Sequence, residues 1–300
     1  MWDILKEKDR IIKEDKNVAK KKGASTNYKE IAKADDRTYA FKNLPFEWGS
    51  ALVEYLTTLV SKPVSHKKVN KQPAHGKAEK QPAYEIYKFT SDIGEPLSVR
   101  LYQSGTIDLQ GKPSYLQGEA IYFLSYCDDV SVDDMVGAIN RFHDVNIKTE
   151  DVRSEMETLL PRSYGKLDDM VLKLLSPSIS LRTVKKLEEE YSYYAFPALR
   201  ALEGYMKYLF GIKGIHIGYN FLEVFDKELM RESTALKIAD ENYQKELERL
   251  YHYLMNSRHV VFYKKQLLIG TTMLKDKPEA DEIVNNVLNL IETSYINIHK

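Results

Sequence analysis

The sequence predicts an α+β protein in which a small antiparallel sheet module with helices precedes an all-helical bundle. Apolar and polar residues alternate with period two only in the first half of the chain, for example over 84–89 and 97–110. From about Gly165 onward, apolar residues recur at steps of three and four, which is typical of helices that pack on one another. A helix, several strands and more helices are the order expected for a small sheet with helices on one face.

Composition narrows the class of protein. The chain has 300 residues, of which 43% are hydrophobic and 29% charged, so we expect a globular protein with a substantial core and more than one domain. The 44 Lys and Arg residues balance the 44 Asp and Glu residues, so any affinity for nucleic acid has to come from a local patch. One cysteine, Cys127, excludes an internal disulfide and fits a cytoplasmic protein. The charged N-terminus is unlike a signal peptide, and no apolar run predicts a membrane span.

The first 160 residues divide into an N-terminal helical segment, 1–35, and a small α+β module, 36–160. A charged amphipathic helix is predicted over 1–22, and a strand is predicted over 37–41. A second helix is predicted to start at Pro45 and to end near Val60. Strands are predicted over 84–89, 97–102 and 106–110, the last two as a hairpin. Helices are predicted over 115–126 and 132–142, and Ser131 is the predicted N-cap of the second.

The stretch 65–82 is predicted to be a basic loop. It has one acidic residue, Glu79, and its two prolines and one glycine disfavour regular structure. Two interpretations stay open, a solvated insertion or an electrostatic arm for RNA or an acidic partner. Its lysines are Lys67, Lys68, Lys71, Lys77 and Lys80.

Residues 161–300 are predicted to form the helical domain. The predicted helices cover 166–176, 183–194, 197–211, 218–230, 234–257 and 279–295. Pro197 and Pro278 stand where the start of a helix tolerates proline. The sequence contains no phosphate-binding P-loop, dinucleotide glycine fingerprint, HExxH or GxSxG, so no cofactor or metal is expected.

Two segments of the helical part carry candidate chemistry. In the first, Phe196–Tyr205, Glu203 interrupts an otherwise apolar face of a helix. In the second, Arg258 is followed five residues later by Tyr263, and a predicted helix that contains Asn-Leu-Ile-Glu (289–292) comes after it.

Together these segments resemble the HEPN domain of RnlA-type toxins, the ribonuclease LS family of bacterial toxin–antitoxin systems directed against phage. The resemblance covers 165–300, and the 36–130 pattern is similar to a TATA-binding-protein-like module that precedes the toxin domain in that family. It implies an endoribonuclease that cleaves mRNA without a metal, acts as a homodimer and is silenced by a protein antitoxin. In the family a glutamate joins an Arg-x4-His motif, and these positions correspond to Glu203 and Arg258.

The implied chemistry needs a base for the 2′-OH proton and a cation for the charge that develops on phosphorus. Arg258 suits the second task, because its guanidinium is permanently charged and offers two donors to a phosphate. Glu203 would orient Arg258 or the base. Tyr263 stands where the family has histidine, and a phenol with a pKa near 10 is a poor base at neutral pH.

Several interpretations of this departure stay open. The chain is an inactivated ribonuclease, or His259 or His252 supplies the base, or the chain is a non-catalytic HEPN-like dimerising module that binds nucleic acid or a protein. Simpler structural roles stay open as well. The motif arginine and His259 would then cap the last carbonyls of a helix, and Glu203 would form a surface ion pair with Lys207.

Overall fold

The computed structural model describes residues 37–69, 83–92, 94–185, 191–218, 221–261, 274 and 276–300, with the backbone alone for 258–261. It is an α+β structure in which a five-stranded antiparallel sheet is followed by a largely helical assembly. The fold class predicted from the sequence is confirmed at this level. We call residues 37–143 the sheet region and 149–300 the helical region. None of the helices within these described ranges is long and apolar enough to cross a membrane.

The sheet contains β1 (Thr38–Phe41), β2 (Ser65–Val69), β3 (Tyr84–Thr90), β4 (Pro96–Tyr102) and β5 (Ile107–Gln110), in the order β1-β5-β4-β3-β2. Period-two burial on β4 and β5 directs alternate residues into the core, as the sequence predicts. The core face packs against α1 (Phe46–Thr58), which packs in turn on α2 (Tyr115–Leu124). Gly49 allows this approach, because a Cβ there would lie 3.0 Å from Cδ2 of Leu101.

Helix α3 (Val132–His143) ends the sheet region, and helix α4 (Thr149–Leu159) begins the helical region. The predicted N-cap is confirmed: Ser131 Oγ accepts the Asp134 N–H, and the Asp134 carboxylate accepts the Ser131 N–H. The ring of Phe142 stacks on Tyr39 at 4.2 Å and fixes α3 against β1. The sequence did not predict α4, because it buries little apolar surface.

The helical region contains α5 (Asp169–Thr183), α6 (Ser192–Ile212), α7 (Glu232–Ile238), α8 (Glu241–Val261) and α9 (Lys277–Ile298). A short 3₁₀ turn, Tyr164–Lys166, precedes α5. Helix α6 is central, because it packs against α2, α5, α8 and α9 and is buried along most of its length. A residue on α6 can therefore contact the sheet region, to which α2 belongs, as well as the rest of the helical region.

Two of the predicted helix boundaries are wrong around α5. The helix continues through Pro177, although proline has no N–H for the carbonyl of Lys173. Ser176 Oγ donates to that carbonyl at 3.0 Å and so replaces the missing donor. The predicted helix over 183–194 is not formed at 184–185, where Lys277 donates to the carbonyls that end α5, and α6 begins only at Ser192.

The predicted helix over 218–230 is wrong. Phe221, Val224 and Phe225 are buried at spacings that resemble a helix, but the chain turns at Lys227 with φ of 56°. The two-residue strands β6 (Phe225–Asp226) and β7 (Leu229–Met230) form there, so the segment 161–300 is not all-helical.

The helix predicted over 234–257 is interrupted. Ala239 ends α7 with φ of 56°, a left-handed conformation that stops the helix. Asp240 then caps α8, since its Oδ1 accepts the N–H of Tyr243 at 3.0 Å. Helix α8 extends four residues beyond its predicted end at 257.

The predicted basic loop over 65–82 is wrong for its first five residues, which form β2. This strand pairs with β3 along its whole length. The ring of His66 stacks on Tyr87 at 4.4 Å, and Lys68 Nζ lies 3.0 Å from Glu85 Oε1. These partners are far away in sequence, so local composition did not reveal the strand. Residues 70–82 and the helix predicted over 1–22 lie outside the described residues.

Candidate functional site

Glu203 lies on the buried face of α6 and is only 3% exposed. Its Oε2 accepts a hydrogen bond from Arg200 Nη1 at 2.6 Å, and its Oε1 lies 3.1 Å from Lys207 Nζ. The spacing of three and four residues places all three side chains on one face of the helix. The ion pair with Lys207 therefore exists, but its carboxylate is buried and the Lys207 side chain is only 18% exposed.

Arg200 also binds a carboxylate from the sheet region. Its Nη2 donates to Oε1 of Glu119 on α2, and Oε2 of Glu119 accepts a hydrogen bond from the hydroxyl of Tyr55 on α1. Glu119 is 0% exposed and Arg200 is 3% exposed. We call Glu119, Arg200, Glu203 and Lys207 the buried charge cluster, in which two carboxylates balance two cations.

Aromatic rings enclose the buried charge cluster. The Arg200 guanidinium carbon lies 4.5 Å from the centre of the Tyr122 ring and 5.4 Å from that of Phe196. Lys207 Nζ lies 3.4 Å from the hydroxyl of Tyr122, which is 2.6 Å from that of Tyr126. A cation over a ring face is favoured most where water is excluded, as it is at Arg200, which is 3% exposed.

Burial and the neighbouring carboxylates together set the protonation states around the cluster. Desolvation acts to lower the pKa of Arg200, but the attraction of Glu119 and Glu203 outweighs it, and the pKa lies well above its ordinary value. The pKa of Lys207 is likewise raised, because the nearby Glu203 outweighs desolvation. Burial raises the pKa of Tyr122. At neutral pH Arg200 and Lys207 are therefore charged and the Tyr122 phenol is neutral. Tyr122 does not act as a base.

Arg258 and His259 lie in the last turn of α8, where only their backbone is described. Helix α8 packs against α6, and the hydroxyl of Tyr243 on α8 donates to the carbonyl of Leu209 on α6 at 2.7 Å. The helices that carry Arg258 and the buried charge cluster are thus neighbours. Tyr263 lies outside the described residues.

His252 is exposed on α8, two turns before His259. Its Nδ1 lies 3.0 Å from Glu228 Oε2, and its Nε2 lies 2.9 Å from Asn256 Nδ2. An amide nitrogen can only donate, so with this amide orientation Nε2 accepts and Nδ1 carries the proton towards Glu228. A carboxylate therefore contacts this exposed imidazole and favours one of its tautomers.

Glu292, in the Asn-Leu-Ile-Glu segment of α9, has a structural role. Its carboxylate accepts the backbone N–H groups of Arg162 at 2.8 Å and Ser163 at 3.0 Å, and the hydroxyl of Ser163 at 2.7 Å. These bonds attach the turn before α5 to α9.

No group of three or more His, Cys, Asp or Glu side chains within the described ranges is placed to hold a metal ion.

Sequence reasoning missed Arg200 and Glu119. Arg200 stands three residues before Glu203 on an apolar helix, and a charged residue in that position is a usable local signal. Glu119 also interrupts an apolar run, Leu116–Leu124, but its partner Arg200 is 81 residues away and no local pattern links the two.

Comparisons with known proteins agree with this fold. The family model of RNase LS, bacterial toxin, matches residues 35–130, and that of RNase LS, bacterial toxin DBD domain, matches 148–265. The mRNA endoribonuclease LsoA of Escherichia coli O157:H7 is 29% identical over 211 residues, which are 69% of this chain and 60% of LsoA. This chain therefore aligns with less than two thirds of the length of that relative.

A solved structure shares the fold. The crystal structure of Escherichia coli toxin LsoA in complex with T4 phage antitoxin Dmd matches with a TM-score of 0.53 at 23% identity, covering 87% of this chain and 100% of that chain. The two family models cover most of the sheet region and much of the helical region between them. These matches confirm the predicted resemblance to RnlA-type toxins of the ribonuclease LS family. The chain belongs to the RNase LS family of bacterial toxins, the RnlA and LsoA type.

Proposed function

We propose that this protein is an endoribonuclease toxin of a phage-defence toxin–antitoxin pair, which cleaves mRNA without a metal and is held silent by a protein antitoxin. LsoA is named as an mRNA endoribonuclease, and its solved structure contains an antitoxin, which supports the proposal. The observation that carries the site is the packing of α6 against α8, because it brings the helix of Glu203 beside the helix of Arg258. In this proposal residues 161–300 are HEPN-like, residues 36–160 form a TATA-binding-protein-like module, and two protomers oppose their Arg258 segments in a homodimer.

Arg258 would bind the scissile phosphate and stabilise the charge that develops on it. Glu203 is not the base, because both of its oxygens are engaged by Arg200 and Lys207 and its side chain is buried. It serves instead as a fixed negative charge that orders the cations of α6. The base has to come from elsewhere, and Tyr263 is a weak candidate for the reason already given.

Two histidines are candidates for the base. His259 follows Arg258 directly, and His252 lies on the same face of α8 two turns earlier. The contact between His252 and Glu228 favours His252, since it fixes the tautomer whose Nε2 lone pair is available once Asn256 moves aside. If neither histidine acts, Tyr263 has inactivated the chain.

The test is RNA cleavage by the purified protein in EDTA, with single-stranded RNA as substrate. We compare the unsubstituted chain with Tyr263→His, Arg258→Ala and His252→Ala, and with His299→Ala as a matched control at an exposed histidine near the C-terminus. We expect Tyr263→His to cut faster by roughly 100-fold or more, the usual contribution of a positioned base. Arg258→Ala should abolish cutting in either background, and His299→Ala should leave it unchanged.

Each result is decisive. Cleavage that survives Arg258→Ala would disprove the site, and a Tyr263→His version that does not cut where the unsubstituted chain also fails would exclude the inactivated enzyme. Activity of the unsubstituted chain that His252→Ala removes would assign the base to His252.

The second candidate function is a non-catalytic HEPN-like dimerising module that binds nucleic acid or a protein. Tyr263 itself favours it, because the motif histidine is missing while Arg258 remains able to bind phosphate. RNA binding that weakens with salt and with Arg258→Ala, without cleavage by the Tyr263→His version, would support this module over the enzyme.

A further inference from the structure

The buried charge cluster joins the sheet region to the helix that carries Glu203. Arg200 binds Glu203 through Nη1 and Glu119 through Nη2, so one guanidinium links the two regions. We propose that Glu119 is a positioning residue, which holds Arg200, and through it Glu203, in the orientation that RNA cleavage needs. The sheet region then contributes Glu119 as a positioning residue to a site that lies in the helical region. This inference rests on the proposed function.

Glu119 is held in one place by its own contacts. The Tyr55 hydroxyl donates to its Oε2, and the residue has no exposed surface. The neighbouring Gly118 packs so closely that a Cβ there would lie 2.6 Å from the ring of Phe196 on α6. Glu119 is therefore held in one position. This favours a role in positioning Arg200 over a role in which Glu119 lets go of Arg200 and binds it again.

Arg200 transmits that anchoring to Glu203. Its fork of donors is planar and rigid, so a rotation that improves one ion pair displaces the other. Removal of the charge of Glu119 also leaves Glu203 as the one carboxylate between the cations Arg200 and Lys207 of the cluster. The position of Glu203 would then change through Arg200.

Stability alone does not account for the cluster. A buried ion pair is often replaceable by packed apolar side chains without loss of stability. Glu292 provides the contrast, because it is also a buried carboxylate but binds only backbone N–H groups and a serine hydroxyl within the helical region. It serves as the matched control.

The experiment measures RNA cleavage by full-length Glu119→Gln and Glu292→Gln proteins, in the unsubstituted chain if it cuts and otherwise with Tyr263→His. Both changes should lower Tm, but Glu119→Gln alone should lower kcat, by roughly 10- to 100-fold with KM within about twofold, as small misplacements of reacting groups do. Glu119→Asp should recover part of kcat, since it keeps the charge. Should Glu119→Gln fail to fold, Tyr55→Phe removes one of its hydrogen bonds and should lower kcat by roughly threefold.

Nuclear magnetic resonance of the Arg200 side chain gives a readout that needs no activity. The guanidinium should rotate slowly and be protected from exchange in the unsubstituted protein, and should rotate faster in Glu119→Gln but not in Glu292→Gln. An unchanged Arg200 signal, or an unchanged kcat in Glu119→Gln, would overturn the positioning role. Failure of both the unsubstituted chain and Tyr263→His to cut RNA would instead overturn the proposed function, and the Arg200 signal would still report whether Glu119 holds it.

Discussion

Two groups of charged side chains differ in how far water reaches them. In the buried charge cluster, Glu119, Arg200 and Glu203 are at most 3% exposed. At the edge of the sheet, the side chain of Glu85 is 25% exposed, and its partner Lys68 on β2 is 66% exposed. A buried charge that loses its partner cannot be solvated, whereas an exposed one is taken up by water. We therefore expect ion pairs to contribute strongly to stability at the junction of the two regions and only weakly at the sheet edge.

The largest expected effect is that of Arg200→Ala. It leaves the carboxylates of Glu119 and Glu203 buried without their shared cation, which should lower the free energy of unfolding by about 3–5 kcal/mol. Arg249→Ala is the control, because Arg249 pairs with Glu246 on α8 but its side chain is 39% exposed. Urea unfolding measures both. An Arg200→Ala loss no larger than that of Arg249→Ala would remove the distinction between the two groups.

The second effect concerns the close approach of α2 to α6. A methyl group at Gly118 would meet the ring of Phe196, so Gly118→Ala should cost about 1–3 kcal/mol through overpacking. Gly137→Ala is the matched control, because Gly137 lies within α3 and a Cβ there meets nothing within 4 Å. It should stabilise the protein by up to about 1 kcal/mol, from helix propensity. Thermal unfolding that moves in the same direction for both would contradict the tight junction.

The smallest effect is expected at the sheet edge, where Glu85→Gln should cost about 0.2–1 kcal/mol. Hydrogen bonds from Lys68, Tyr87 and His66 lower the pKa of the Glu85 carboxyl from 4.5 to about 2, against a smaller desolvation effect. A lowered pKa in the folded state stabilises the fold above the unfolded value, so this contribution is present above 4.5 and is lost as the pH falls towards 2.

The measurement is the difference in Tm between the unsubstituted protein and Glu85→Gln as a function of pH. It should be present at about pH 6, shrink as the pH falls below 4.5 and be mostly lost at about pH 2, following the protonation of Glu85. A difference that stays constant over this range would mean that the edge ion pairs do not contribute.

The sequence predicted the parts of the fold that depend on local periodicity. Strands β3, β4 and β5 and helix α1 repeat apolar residues at two or at three to four residues, and they form where expected. Strand β2 was missed because Ser-His-Lys-Lys-Val has no apolar alternation, and its partners, such as Tyr87, are distant in sequence. The ends of α5 and α6 were misplaced because Pro177 and Pro197 lie inside helices that tertiary contacts maintain.

The candidate site, like the fold, could be predicted only where its features are local in sequence. Glu203 was identifiable from its helix, because a carboxylate on an apolar face is a local feature. Its burial, and the link from Arg200 to Glu119, depend on the packing of α2 against α6 and were not predictable from either segment alone. The roles assigned to Arg258, His259 and Tyr263 stay predictions.

Strand β2 has a consequence for how molecules of this protein meet. It lies at the edge of the described sheet with Ser65–Lys68 exposed, and an exposed edge can recruit a strand from another copy. If two copies paired antiparallel about Lys67, each Lys67 would face its equivalent and each His66 would face Lys68. The two opposed Lys67 cations repel each other, so this edge resists the strand-by-strand growth that leads to fibrous aggregates.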